Sequence, residues 1–135
     1  MPVRGFDHVV VTAEDVEGTV RFYTDLLGAE SLFLDEFRSG SSPIVTLIVG
    51  ENRINVHPSP PRAPSHLVAR RPTPGSVDLC FRWAGSIDEV VALLSERDLP
   101  VVEGPVPRIS ADGERAVSVY TRDPDGNLLE FLTTG

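Results

Sequence analysis

The order of predicted secondary-structure elements occurs twice along the chain, and this repeat restricts the fold more than any other feature. The first half opens with the short β-branched segment FDHVVVT and continues with DVEGTVRFYTDLLG, whose apolar residues have helical spacing. Three β-rich segments follow, namely AESLFLDEF, PIVTLIVG and RINVH. The first half is therefore predicted to have the element order βαβββ.

The second half gives the same order with different residues. SVDLCFRW is predicted to be a strand, and SIDEVVALLSERDL is predicted to be a helix that opens with a capping box. Three further β-rich segments complete this half, namely PVVEGPVP, RAVSVYTR and NLLEFL. Because the element order is the same in both halves, we predict an α+β protein built from two tandem βαβββ modules.

A proline-rich segment separates the two predicted modules. Residues 58–75 contain six prolines and have no helical or strand period, so we expect a linker loop there. Module one is then expected at about residues 1–57 and module two at about 76–135, within a single domain.

Composition restricts the partners. A net charge of -8 and a pI near 4.7 disfavour nucleic acids and anionic membrane surfaces, which leaves small molecules as the expected ligands. The single cysteine, Cys80, lies in the apolar segment VDLCF, so a reduced core thiol is expected. With no apolar run of membrane-spanning length and no signal-peptide pattern, we expect a soluble cytoplasmic protein.

Four ionisable residues stand where strands should be apolar. His8 and Asp78 occupy the first strand of each half, whereas His57 and Glu130 occupy the last. Burying an unpaired carboxylate such as Glu130 costs several kcal/mol unless it is protonated, paired or metal-bound. Two imidazoles and two carboxylates are suitable ligands for a divalent transition metal, so the four residues form a candidate metal site.

Each of these residues also has a purely structural interpretation. Either histidine can be a hydrogen-bonded residue of the core or rim. Asp78 can point outward from the start of an edge strand, and Glu130 can pair with Arg82 or Arg115.

Basic residues cluster in the linker loop of this acidic protein. Their function is either to attract an anionic substrate or simply to form a solvated loop face. Trp83 and Tyr120 are expected either to line a pocket or to belong to the core. The loop residues are Arg62, His66, Arg70 and Arg71.

The segments DHVVVTAEDVEGTVRFYTDLLGAE and YTRDPDGNLLEFL resemble the vicinal oxygen chelate superfamily. That superfamily contains glyoxalase I, fosfomycin resistance proteins, extradiol dioxygenases and bleomycin resistance proteins. RINVH, RPTPGSVDLCF and VVEGPVPR are similar to its small glyoxalase-domain branch. The resemblance implies cupped mixed sheets around a metal ion, commonly within a homodimer.

The resemblance carries the metal-ligand positions onto His8, His57, Asp78 and Glu130. Bacterial glyoxalase I usually has glutamate at the position of His57 and histidine at that of Asp78, so this chain keeps the donor types but exchanges their places. Asp78 also replaces the histidine expected in extradiol dioxygenases and fosfomycin resistance proteins.

The implied function is that of a divalent-metal-dependent enzyme whose metal is Zn, Ni, Fe, Mn or Co. It would act by Lewis-acid catalysis on a small oxygen-chelating substrate, in a lyase, isomerase or dioxygenase reaction. Glu130 is the candidate proton-transferring base. The alternative is a non-catalytic small-molecule or drug-binding protein similar to the bleomycin resistance proteins.

Overall fold

The computed structural model describes residues 2–135 and divides into two compact units between Gly75 and Ser76. Each unit contains one four-stranded mixed sheet with helices, so the predicted α+β fold with two modules is confirmed. Among the residues described, no helix combines the length and the apolar character needed to span a membrane.

The first unit contains a sheet with the strand order β1-β4-β3-β2. Strand β1 is parallel to β4, and the other two pairs are antiparallel. A short 3-10 helix at Ser65–Leu67 follows in the linker loop. The elements of the sheet and its helices are β1 (Val9–Ala13), α1 (Val16–Leu27), β2 (Glu30–Leu32), α2 (Leu34–Ser39), β3 (Val45–Val49) and β4 (Asn52–Pro58).

Helix α1 begins and ends at residues that suit its termini. The Asp15 side chain accepts a hydrogen bond from the Gly18 backbone N–H, and Gly28 ends the helix in the left-handed conformation. The helix packs on β3 and β4 and buries their apolar residues. The core of this unit includes Val16, Val20, Tyr23, Val45, Leu47, Ile54 and Val56.

One predicted strand is only partly a strand. AESLFLDEF was expected to be β throughout, but the strand ends at Leu32 and helix α2 begins at Leu34. Phe33, between them, has a φ of 73°, which no extended strand accommodates. Phe37 is buried beneath the new helix, so burial of this apolar side chain overrides the local β-propensity.

The second unit reproduces the topology of the first, with the order β5-β8-β7-β6 and a parallel β5–β8 pair. Helix α3 packs on β7 and β8 and covers the fully buried Leu129 and Phe131. The elements are β5 (Asp78–Arg82), α3 (Ile87–Glu96), β6 (Glu103–Ile109), β7 (Arg115–Arg122) and β8 (Leu128–Thr133). The predicted βαβββ order is confirmed here.

The DPDGN turn between β7 and β8 is held by the buried Asp123 carboxylate. It accepts hydrogen bonds from the Asp125 N–H at 3.0 Å, the Asn127 N–H at 2.9 Å and the Asn127 amide at 2.8 Å. The Asn127 side-chain oxygen in turn accepts from the Val77 N–H at 3.0 Å. Because Val77 directly precedes β5, the turn ties the start of β5 to the start of β8.

We predict that Asp123→Ala lowers the free energy of unfolding by roughly 2–4 kcal/mol, since buried donors of Asn127 lose their acceptor. Urea denaturation measures the change. The matched control is Asp25→Ala, which removes an exposed carboxylate from α1 and should change stability by less than about 0.5 kcal/mol. Equal stability of the two variants would contradict the importance of this turn.

Candidate metal-binding site

In the first sheet, strand alternation separates a helix-covered face from a face that we call the open face. Val11 and Val56 are paired and buried toward the helix. Their neighbours Thr12 and His57 are also paired, and they point to the opposite side because successive side chains alternate. His8, directly before β1, acts electrostatically on His57, so the two histidines of this unit lie near each other.

The His8 ring is oriented by its neighbour in sequence. Its Nδ1 lies 2.9 Å from a carboxylate oxygen of Asp7, and a carboxylate can only accept, so Nδ1 carries the proton. In the neutral form of the ring, Nε2 then presents a lone pair. Metal-ligating histidines commonly have this second partner, which fixes the tautomer and makes the ring a better donor.

His57 is half-buried at the end of β4. Burial, and then the nearby charge of His8, lower the pKa of His57 below its ordinary value of 6.5. The ring is therefore neutral at pH 7, and a neutral imidazole is the form that binds metals.

The open face of the second sheet carries both predicted carboxylates. Glu130 in β8 is paired with Cys80 of β5 on one side and with Tyr120 of β7 on the other. Asp78 of β5 is paired with Leu128 of β8, and Leu128 lies two residues before Glu130 on that strand. The flanking β8 residues face α3, which leaves the Glu130 carboxylate on the side away from the apolar core.

Glu130 is half-buried, and neutral donors satisfy its carboxylate. The Ser118 hydroxyl donates to Oε2 at 2.7 Å, and the Cys80 thiol is also hydrogen-bonded to the carboxylate. Among residues 2–135 no ion pair joins Glu130 to an arginine. Arg82, an expected partner, instead binds Asp112 at 2.9 Å. The purely structural interpretation of Glu130 as half of an ion pair is therefore wrong.

Cys80 does not lie in the core, as its apolar sequence context had suggested. It is an exposed free cysteine on the open face, because it lies two residues after Asp78 and points to the same side, whereas the half-buried Leu79 points to the opposite side. Neighbouring strands nevertheless keep solvent from part of the thiol. This burial, followed by the charge and hydrogen bond of Glu130, raises the pKa of Cys80 to about 11.

Each unit thus brings two of the four predicted residues to one open face: His8 and His57 in the first, Asp78 and Glu130 in the second. Within the part of the chain that the structure describes, no group of three or more His, Cys, Asp or Glu side chains is arranged to hold a metal ion. The set of four ligands stays a prediction.

A model of the Glyoxalase/Bleomycin resistance protein/Dioxygenase superfamily matches residues 5–131. The chain belongs to this superfamily. It is 40% identical over 131 residues to virulence protein STM3117 of Salmonella typhimurium, covering 97% of this chain and 85% of that protein. The crystal structure of that protein matches with a TM-score of 0.86 and 37% identity over 100% of both chains.

Two further proteins are similar to this chain in sequence or in fold. The glyoxalase domain-containing protein RDO1 of Mycosarcoma maydis is 40% identical over 132 residues, covering 97% of this chain and 69% of that protein. A fosfomycin resistance protein of Listeria monocytogenes, solved with Mn(II) and dihydroxypropylphosphonic acid, has a TM-score of 0.64 and 18% identity over 96% of this chain and 89% of that chain. At this identity the Listeria structure establishes only a common fold.

Several contacts of this superfamily member were not predicted from its sequence. Ser118 was not predicted as a site residue. It lies two residues before Tyr120 in β7, so its side chain points to the same face as Glu130. Arg62 of the basic loop has a structural contact, since its guanidinium lies 3.9 Å from the centre of the Phe37 ring and donates to the Phe37 carbonyl at 2.8 Å.

An open hollow of about 280 Å³ lies outside this site. It is lined by residues that include Ser86, Arg115 and Thr133. Thr133 ends β8, whereas Leu128, the partner of Asp78, begins it, so the hollow lies at the other end of the strand.

We predict that Cys80 reacts with iodoacetamide at pH 8 about 100-fold more slowly than a free cysteine, whose pKa is about 8.5. Glu130→Gln removes the nearby negative charge and should accelerate the reaction. Mass spectrometry follows the alkylation, and the guanidinium-unfolded protein provides the free-thiol rate. A native rate equal to the unfolded rate would show that the sheet does not suppress the thiolate.

We predict that the metal-free protein, kept in EDTA, loses stability as the pH falls through 6.5, the ordinary pKa of histidine, toward the lower folded-state pKa of His57. In that interval the unfolded chain binds more protons than the folded chain, so protonation favours unfolding. His57→Asn should make this loss shallower, as measured by urea denaturation between pH 5 and 8. His66→Asn, on the exposed loop, should retain the full slope.

Proposed function

We propose that this protein is a divalent-metal-dependent enzyme that acts on a small substrate carrying two neighbouring oxygens. The observation that carries the proposal is Glu130: a half-buried carboxylate on an open face that forms no ion pair among the described residues and has Asp78 beside it. A divalent cation would neutralise these two negative charges.

The donors present suit such an ion. His57 is neutral, and His8 presents Nε2 because Asp7 holds Nδ1. Together with the carboxylates of Asp78 and Glu130 they would form a mixed nitrogen and oxygen set, which accepts Zn, Ni, Fe, Mn or Co. A fosfomycin resistance protein of the same fold from Listeria was solved with Mn(II).

A bound ion would act as a Lewis acid and polarise a substrate oxygen. The protein's own contribution centres on Glu130. Ser118 occupies one lone pair of Oε2 and fixes the plane of the carboxylate, which keeps further lone pairs for an ion or for a proton of the substrate. We assign Glu130 as the group that moves this proton, in a reaction of the lyase, isomerase or dioxygenase type.

We also infer a cytoplasmic homodimer. The resemblance to the superfamily implies the dimer, and exposed apolar side chains near the start of β1 support an interface there. These are Phe6, at 91% exposure, and Val10, at 44%. The alternative function is a non-catalytic drug-binding protein, which would use a cleft without the metal.

We predict that the protein, purified without a chelating tag and reconstituted, binds about one transition-metal ion per chain. His8→Ala and Glu130→Gln should each weaken metal binding by at least about 100-fold, since each removes a ligand. Metal content is measured by plasma mass spectrometry, and affinity by competition with a chromogenic chelator.

The controls for this experiment are His66→Ala and Glu114→Gln, which remove an exposed histidine and an exposed carboxylate outside the site and should leave metal binding unchanged. A wild-type protein that binds no metal but retains hydrophobic drugs would overturn the enzyme proposal and support the alternative.

A further inference from the structure

The open face of the second sheet carries an arginine that no part of the proposed metal site uses. Arg108 in β6 donates from Nε to the Tyr120 hydroxyl at 2.9 Å and from Nη1 to the Pro107 carbonyl at 2.9 Å. A guanidinium has five N–H donors, so three remain beyond these two bonds. Among residues 2–135 no carboxylate forms an ion pair with Arg108.

The Arg108 side chain is directed along the sheet toward Glu130. Arg108 is paired with Ala116, yet its guanidinium contacts Tyr120, four residues further along β7. Tyr120 is paired with Glu130 on the next strand. The guanidinium carbon lies 5.4 Å from the centre of the Tyr120 ring, and Arg108 and Glu130 interact electrostatically. The Arg108 guanidinium is therefore held near Glu130, the proposed catalytic carboxylate.

Arg82, another arginine on this face, has a guanidinium that is already paired with a carboxylate. Arg82 binds Asp112 at 2.9 Å, so its charge is already neutralised within the sheet. The polar contacts of Arg108 are instead a phenol and a backbone carbonyl, both of them neutral. These neutral acceptors orient the guanidinium, which interacts with the charges of Glu130 and Glu103 without forming an ion pair among the described residues.

We propose that Arg108, oriented by Tyr120, binds an oxyanion of the substrate, so that the substrate class is a small anionic molecule. This inference rests on the proposed function, because the oxyanion would belong to the molecule whose chelating oxygens face Glu130. Carboxylate and phosphonate or phosphate groups share the chemistry that a planar guanidinium recognises through paired hydrogen bonds. Arg108 is a specificity residue, and Tyr120 is its positioning residue.

The test uses three hydroxamates that share one chelating group. Acetohydroxamate carries no further anion, malonomonohydroxamate adds a carboxylate and phosphonoacetohydroxamate adds a phosphonate. Isothermal titration to the metal-reconstituted protein should give tighter binding of at least one acidic probe than of acetohydroxamate, by about tenfold or more. The acidic probe with the larger gain identifies the oxyanion.

Arg108→Gln should remove this gain while leaving acetohydroxamate affinity unchanged, and Tyr120→Phe should reduce the gain in part. The matched control is Arg82→Gln, which removes an equal charge from the same face and should preserve all three affinities. Thermal denaturation checks that each variant is folded.

Two failures are distinguishable. If wild type binds acetohydroxamate through its metal but has no preference for the acidic probes, or if Arg108→Gln keeps that preference, the oxyanion site is overturned and the metal-enzyme proposal stands. If wild type binds neither metal nor acetohydroxamate, both the proposed function and the oxyanion site are overturned.

Discussion

The parallel pairing of the first and last strands of each module is the constraint on which the rest of the structure depends. It places β1 beside β4 and β5 beside β8, and the helix of each unit then covers one face of the sheet. Because side chains alternate with a period of two, this register alone decides which residues reach the open face. A slip of one residue would turn Glu130 toward the helix and expose Phe131.

This register also resolves the burial problem of a carboxylate in an apolar segment. NLLEFL contains leucines on both faces, which is typical of a strand covered on both sides. In the structure Glu130 is half-buried and hydrogen-bonded by Ser118, so the cost of desolvating its charge is only partly incurred. Neither Glu130 nor Asp78 forms an ion pair among the described residues, so two negative charges lie near each other on the open face. A cation is the simplest complement to that pair.

Most of the element order was predictable because hydrophobic periodicity is a local property of the sequence. The alternation placed Asp78 and Glu130 correctly in the strands that carry them. Helix α2 was not predictable in this way, because a single left-handed residue, Phe33, redirects a chain whose composition favours strand. The contacts of Ser118 and Arg108 depend on which strands are neighbours, and that information is not contained in the spacing of residues along one strand.

The DPDGN turn has a consequence for the geometry of the two carboxylates. Asn127 binds the Val77 N–H, and Asp78 is the next residue, so the turn fixes where β5 begins relative to β8. Asp78 and Glu130 lie just beyond this bond on their respective strands. The distance between the two candidate ligands therefore depends on the hydrogen bond of one amide side chain in the turn. A substitution at Asn127 in this turn would therefore also change the distance between Asp78 and Glu130.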